Sequence, residues 1–220
     1  MSFNSVFDII GPVMVGPSSS HTAGAARIGQ AARNLLHGQP QWAKIHLYES
    51  FAKTYKGHGT DFALVGGLLG FATDDPRMKK ALKIAKDRGL DVTFIENTAA
   101  VDHPNTVRLR IGNAEDQVEL VGVSIGGGKI EITELNGFQL RLSGHHPALF
   151  VMHNDRFGAI ASVTSILAKH KINIGHMEVN RKDVGKDALM VIETDQNVED
   201  VIIKELMEAK NITHVSRMIG

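Results

Sequence analysis

Hydrophobic positions recur with two different periods along this chain, and each change of period marks a new element. Pro147 to Met152 is a short apolar run that predicts a strand. Asn154 or Asp155 then caps a helix from about Phe157 to His170, with Ile160, Val163, Ile166 and Leu167 on one face. Ile172 to Arg181 returns to a strand pattern, with Gly175 breaking the alternation as a bulge would. The polar stretch Lys182 to Lys186, with Gly185, predicts a turn into a strand over Ala188 to Thr194. Asn197 is placed to cap a helix in which Val198, Ile202 and Leu206 recur every four residues, and Ile212 to Met218 closes with a strand. The predicted order is βαββαβ, a ferredoxin-like unit.

The preceding region is less regular. A helix is predicted from Thr22 to about Leu36, with Ile28, Leu35 and several alanines buried, and a strand over Lys44 to Tyr48. Asp75, Pro76 and Gly89 bracket another helix, with Met78, Ala81, Leu82 and Ala85 inward. Thr106 to Ile111 alternates cleanly, Val107, Leu109 and Ile111 against Arg108 and Arg110. Glu119 to Ile125 and Ile130 to Leu135 predict strands around a glycine triplet, and Asn136-Gly137 predicts a hairpin turn into Phe138 to Leu142. The fold class expected is α/β (α+β), a mixed-sheet domain over 1–145 followed by the βαββαβ domain over 146–220. The seam is expected near Ser143 to His146.

Composition narrows the chemistry. At 220 residues with 43% hydrophobic content the chain can build a substantial core. Lys plus Arg equal Asp plus Glu at 24 each, so no basic stripe for a phosphate backbone is expected. There is no cysteine, which excludes disulfides, thiolate nucleophiles and thiolate metal ligands from these residues. The first residues carry no basic region ahead of their apolar stretch, and no apolar run approaches the ~20 residues that span a bilayer. A cytoplasmic protein is the expectation.

Gly16-Pro17-Ser18-Ser19-Ser20-His21-Thr22 is the most unusual stretch, with four hydroxyls and an imidazole at a helix start. Ser20 or Thr22 can cap the helix, free amides there favour an anion such as a carboxylate, and His21 can act as general acid or base. Read by spacing alone, it is first of all a serine-rich capped loop with a solvated histidine. Lys56-Gly57-His58-Gly59-Thr60-Asp61 repeats the logic, Thr60 or Asp61 capping the apolar run that follows. Facing each other, the two motifs could hold both ends of a small zwitterion. Ser124 to Lys129 carries Gly126, Gly127 and Gly128 between two strands. Val123 and Ile130 exclude a phosphate-cradling loop, leaving a tight turn. His103-Pro104-Asn105 is a further turn with one imidazole. Eleven histidines show no metal-ligand spacing, so no metal site is expected.

The strings GPSSSHT at 16–22, YKGHGTD at 55–61, HPN at 103–105 and SIGGG at 124–128, in this order, resemble the β chain of the iron–sulfur-dependent L-serine dehydratases. HNDRFG at 153–158 and INIGHMEV at 172–179 resemble an ACT domain. The resemblance covers essentially the whole chain and implies conversion of L-serine to pyruvate and ammonia by loss of water followed by enamine hydrolysis. It implies a [4Fe–4S] cluster held by the cysteines of a partner α chain, with this chain supplying part of the active-site wall. It assigns a catalytic role to His21 and substrate anchoring to Ser18, Ser19, Ser20 and Thr22. His58, Thr60, Asp61, Gly126, Gly127 and Gly128 are weaker carry-overs. For the ACT unit it implies either an effector site around Asn154, Asp155 and Gly158 or self-association. The second reading is a non-catalytic amino-acid- or anion-sensing module, like the regulatory end of some phosphoglycerate dehydrogenases. Fold alone does not separate the two; the SSSHT and KGHGT strings favour the enzyme.

Overall fold

A computed structural model describes residues 12–143 and 146–218. The chain divides into two compact units, residues up to 137 with 141–143, and residues 138–140 with those from 144 onward. Gly144 and His145 of the expected seam lie outside the described residues, as does the stretch up to residue 11.

In the first unit a π-helical turn, Ser19–Gly24, runs into α1 (Ala25–Leu35). Then come β1 (Trp42–Tyr48), α2 (Glu49–Thr54), α3 (Thr60–Leu68), a 3-10 turn (Met78–Lys80), α4 (Ala81–Asp87) and β2 (Asp91–Asn97). β3 (Thr106–Gly112), β4 (Gln117–Gly126) and β5 (Lys129–Leu135) follow, then β6 (Phe138–Leu142), whose residues 138–140 belong to the second unit. The sheet order is β2-β1-β3-β4-β5-β6. β1 and β2 are parallel, while β1–β3, β3–β4 and β4–β5 are antiparallel. The sheet is therefore mixed, as its sequence pattern predicts.

The alternation of β3 is realised in full. Val107, Leu109 and Ile111 are completely buried. Arg108, on the opposite face, bonds Glu119 and both oxygens of Glu134, and these carboxylates hold its guanidinium above its ordinary pKa. The hairpin turn is also realised, with Asn136 at φ +49° and Gly137 at +79°, the pair of positive angles that a twisted two-residue hairpin needs.

α1 and α3 cross at very short range. A Cβ on Gly67 would overlap the Ala26 carbonyl, and one on Gly29 the Leu64 carbonyl. Gly122 of β4 leaves room for Ile28 in the same way. These glycines let α1 settle onto both α3 and the sheet, which fixes where the turn ahead of α1 sits.

The second unit is β7 (Ala148–Asn154), α5 (Ala159–Lys169), β8 (Ile174–Arg181), β9 (Asp187–Thr194), α6 (Asp200–Glu208) and β10 (Ile212–Met218). Its sheet order is β10-β7-β9-β8, antiparallel throughout. Leu149, Val151, Val163, Leu167, Met190, Ile192, Ile202 and Leu206 form its core. The predicted bulge at Gly175 is present as a register shift between Ile174 and His176.

Several predicted boundaries and caps are corrected. α5 starts at Ala159 behind a left-handed Gly158, without a side-chain cap. The Asp155 carboxylate is instead drawn to the Gly185 amide at 2.9 Å and to Arg181. α6 starts at Asp200 behind Glu199 rather than after an Asn197 cap, though Val198 is buried as expected. Asp75 accepts from the Arg77 amide at 2.8 Å and opens a turn, so the helix proper begins at Ala81 and Pro76 lies outside it. Leu82 and Ile160 are 40% and 42% exposed, because burial follows Met78, Ala81 and Ala85 on one helix and Ala159, Val163 and Leu167 on the other. The first helix begins at Ala25 and ends at Leu35.

Gly67→Ala separates two opposed effects. Alanine favours the helix by about 1 kcal/mol, but its methyl group meets immovable backbone, for which overpacking costs about 1–3 kcal/mol. The expected result is net destabilisation, read as a lower urea midpoint by fluorescence of Trp42, the chain's only tryptophan. An unchanged or raised midpoint would contradict the close crossing.

Candidate active site

The first motif folds back on itself. Gly16, at φ +143°, lies against the Thr22 side chain where a Cβ would overlap it. Ser18 is extended and caps the turn, its Oγ accepting from the His21 amide at 3.1 Å; the cap is therefore Ser18 and not Ser20 or Thr22. The Thr22 hydroxyl is instead buried and donates to the His58 carbonyl at 3.0 Å, tying the first motif to the second.

His21 stands at the centre. Its Nδ1 lies 3.1 Å from Ser20 Oγ and 3.5 Å from Ser18 Oγ, and its Nε2 lies 3.0 Å from Ser50 Oγ. The rings of Phe51 and His58 meet it edge-on with centroids at 5.2 and 4.9 Å. Burial, and secondarily the charge of His58, lower its pKa below 6.5, so the ring is neutral at neutral pH. A neutral imidazole among hydroxyls can take a proton, return it, and help hold a small polar ligand.

The second motif links α2 to α3. Gly59 takes φ +70° and occupies the cap position of α3, which places Thr60 and Asp61 inside the helix instead of at its cap. Asp61 Oδ1 accepts from the Phe62 amide at 2.8 Å, and burial raises the pKa of its carboxyl. Thr60 is fully buried, and its hydroxyl has no partner among the described residues.

The glycine triplet is the left-handed turn expected between β4 and β5, with φ of +100°, +60° and +76° at Gly126, Gly127 and Gly128. Gly128 packs against Pro12 and near Ala23, and its carbonyl accepts from Arg27 at 2.8 Å, so the triplet borders the π-helical turn. Ser124 is buried against Gly24, and its hydroxyl is likewise unpartnered among the described residues. Asn105 exchanges bonds with the Ser124 backbone at 3.0 and 3.3 Å, while the Pro104 carbonyl accepts from the Ser50 amide at 2.9 Å. All four motifs thus meet where β1 and β4 end, outside the carboxyl ends of strands where α/β sheets bind ligands.

Ser19 makes no side-chain bond in this cluster, and its carbonyl lies near Gly24. Asn154, Asp155 and Gly158 belong to the second unit, where Asp155 is engaged with the β8–β9 turn. A cavity of about 460 Å³ lined by Trp42, Arg110, Gln117 and Asn136 lies at the opposite ends of β1 and β4 and has no part in the cluster. Sequence reasoning missed Ser50 and Phe51. They sit in a helical run, ESFAKT, that carries no glycine or proline and whose only signal is its place just after a strand.

The chain offers no cysteine, and no group of three or more His, Asp or Glu among the described residues is placed to hold a metal. No helix among the described residues is long and apolar enough to cross a membrane.

Residues 5–134, which contain every motif of the cluster, match the family model described as serine dehydratase beta chain. The chain belongs to the serine dehydratase beta chain family. Residues 148–211 match the ACT domain, in agreement with the βαββαβ unit. Over 218 residues, 99% of both chains, it is 58% identical to a protein of Bacillus subtilis named probable L-serine dehydratase, beta chain. It is 34% identical over 216 residues, 97% of both chains, to the L-serine dehydratase beta chain of Peptoniphilus asaccharolyticus. A D-3-phosphoglycerate dehydrogenase of Synechocystis is 27% identical over 189 residues, 86% of this chain and 34% of that one.

The lowered pKa of His21 in this serine dehydratase beta-type unit has a sign that can be checked. As pH falls below 6.5 the unfolded chain takes up a proton before the folded one does. Stability should therefore decline from pH 6.5 down to the folded pKa of His21 and flatten below it. NMR titration of the ring should give a midpoint under 6.5. His58→Gln should recover only part of the depression, because burial is the larger cause. A wild-type midpoint at or above 6.5 would contradict the geometry.

Proposed function

We propose that this chain is the β subunit of an L-serine dehydratase and supplies hydroxyl and imidazole groups to the site where L-serine loses water. The observation that carries this reading is the half-buried, neutral His21 held among Ser18, Ser20 and Ser50 beside His58, inside the span that matches the serine dehydratase beta chain. In the proposed reaction L-serine loses its α-proton and its hydroxyl, and hydrolysis of the enamine that remains yields pyruvate and ammonia.

His21 transfers a proton in this scheme, and Ser18, Ser19, Ser20 and Thr22 anchor the substrate's charged ends. His58, Thr60 and Asp61 border the site. Gly126, Gly127 and Gly128 shape its wall through a left-handed turn that residues with side chains rarely adopt. The [4Fe–4S] cluster belongs to a cysteine-bearing α partner, because this chain has no thiolate to hold it. For the ACT unit we propose self-association along the outer strand β8 and an effector site at the uncapped start of α5, near Asn154, Asp155 and Gly158. The sensing-module reading has one observation in its favour, the similarity to a D-3-phosphoglycerate dehydrogenase over 86% of this chain. The two readings predict opposite results below.

Combining the chain anaerobically with its α partner, iron and sulfide should give serine-dependent pyruvate that neither chain produces alone. His21→Ala should lower turnover by ~10²-fold or more, the scale of a lost proton-transfer group, while the pair still assembles by size-exclusion chromatography. A properly loaded pair without pyruvate would end the catalytic reading in favour of the sensing module. Turnover near wild type in the variant would remove His21 from the chemistry.

A further inference from the structure

Hydroxyls flank both ring nitrogens of His21. The His21 amide donates to Ser18 Oγ at 3.1 Å, which leaves that hydroxyl one proton and one lone pair. Ser20 Oγ lies 3.3 Å from Ser18 Oγ, and either hydroxyl can donate to the other. Ser20 Oγ also lies 3.1 Å from Nδ1 of His21, donating to that nitrogen when it is bare and accepting from it when it is protonated. A neutral imidazole carries one ring proton, and its other nitrogen, Nε2, lies 3.0 Å from Ser50 Oγ.

Ser50 differs from the other two serines in how it is held. Ser18 and Ser20 belong to the same turn as His21. Ser50 is 29 residues away and is fixed by its own framework. β1 ends at Tyr48, Glu49 takes φ +42°, and α2 begins at once, so the chain reverses sharply just before Ser50. A non-glycine residue in that region is strained, and the surrounding contacts must offset that strain. The Ser50 amide donates to the Pro104 carbonyl at 2.9 Å, and its carbonyl accepts from the Thr54 hydroxyl at 2.8 Å. The next residue, Phe51, is fully buried with its ring against His21.

We propose that Ser50 is the positioning residue for His21, accepting the Nε2 proton so that Nδ1 is the nitrogen that works on the substrate. The serines on the Nδ1 side come from the same short turn as His21 and can swing aside when a ligand enters. The Nε2 bond is anchored to a different element and holds the ring in place. Hydrogen-bond partners of a functional histidine commonly fix its tautomer in this way. The inference rests on the proposed function for its effect on turnover, whereas the tautomer itself is a property of this chain alone.

The test uses the full chain labelled with ¹⁵N at histidine, with the His21 signals assigned by their loss in His21→Gln. The wild-type ring at neutral pH should report Nε2 protonated and Nδ1 bare. In Ser50→Ala the population should move toward the other tautomer. Turnover of the reconstituted pair should fall about tenfold or more, the usual scale for losing an orienting partner, with kcat affected more than KM. Ser50→Thr keeps the hydroxyl and should restore both the tautomer and most of the turnover; it also stands in if the alanine variant does not fold. A wild-type Nδ1–H tautomer, or a tautomer unchanged in Ser50→Ala, would overturn the inference. If His21→Ala leaves turnover intact while Ser50 still sets the tautomer, the functional reading fails and the positioning role stands.

Discussion

Everything at the site depends on one constraint, a neutral imidazole held on both edges by hydroxyl groups from separate segments of the chain. Ser18 and Ser20 reach one nitrogen of His21 from its own turn, and Ser50 reaches the other from the start of α2. With no carboxylate bonded to the ring among the described residues, burial sets its protonation, and burial favours the uncharged form. Hydroxyls suit such a ring because each can donate or accept, so they orient it without charging it.

The rest of the first unit can be understood as the frame for that arrangement. Glycines where α1 crosses α3 and lies on β4 bring α1 close to the sheet, and the turn ahead of it is carried to the carboxyl ends of β1 and β4. Gly16 and Gly59 bend the two histidine loops, and the Thr22 to His58 bond joins them. The Pro104 and Asn105 turn then links α2 to Ser124, so one network of backbone and side-chain bonds connects all four motifs.

Much of this was legible in the sequence because periodicity reports burial. The alternating β3, the hairpin at Asn136-Gly137, the bulge at Gly175 and the βαββαβ order all follow from patterns in which a polar residue would otherwise be buried. Caps were less legible. Ser18, Asp155 and Asp75 all bond backbone amides, but the pattern favours Ser20 or Thr22 over Ser18, and Asp155 and Asp75, which it offers as helix caps, bond loop amides instead. Ser50 was illegible for a different reason. Its role comes from a contact across 29 residues and from a left-handed Glu49, and neither leaves a trace in local composition. Family membership supplies the chemical context that patterning alone does not, since a histidine in a serine-rich loop is otherwise compatible with a plain capped turn.

The central claim is that this chain brings His21 and its hydroxyls to a reaction centre completed by another polypeptide. A structure of the assembled complex with L-serine bound tests it most directly. The account predicts the amino acid within hydrogen-bonding distance of the His21 ring and of at least one hydroxyl among residues 18–22, with cysteines of the partner on its other side. A substrate bound with no atom of residues 16–22 or 58 in contact would contradict it.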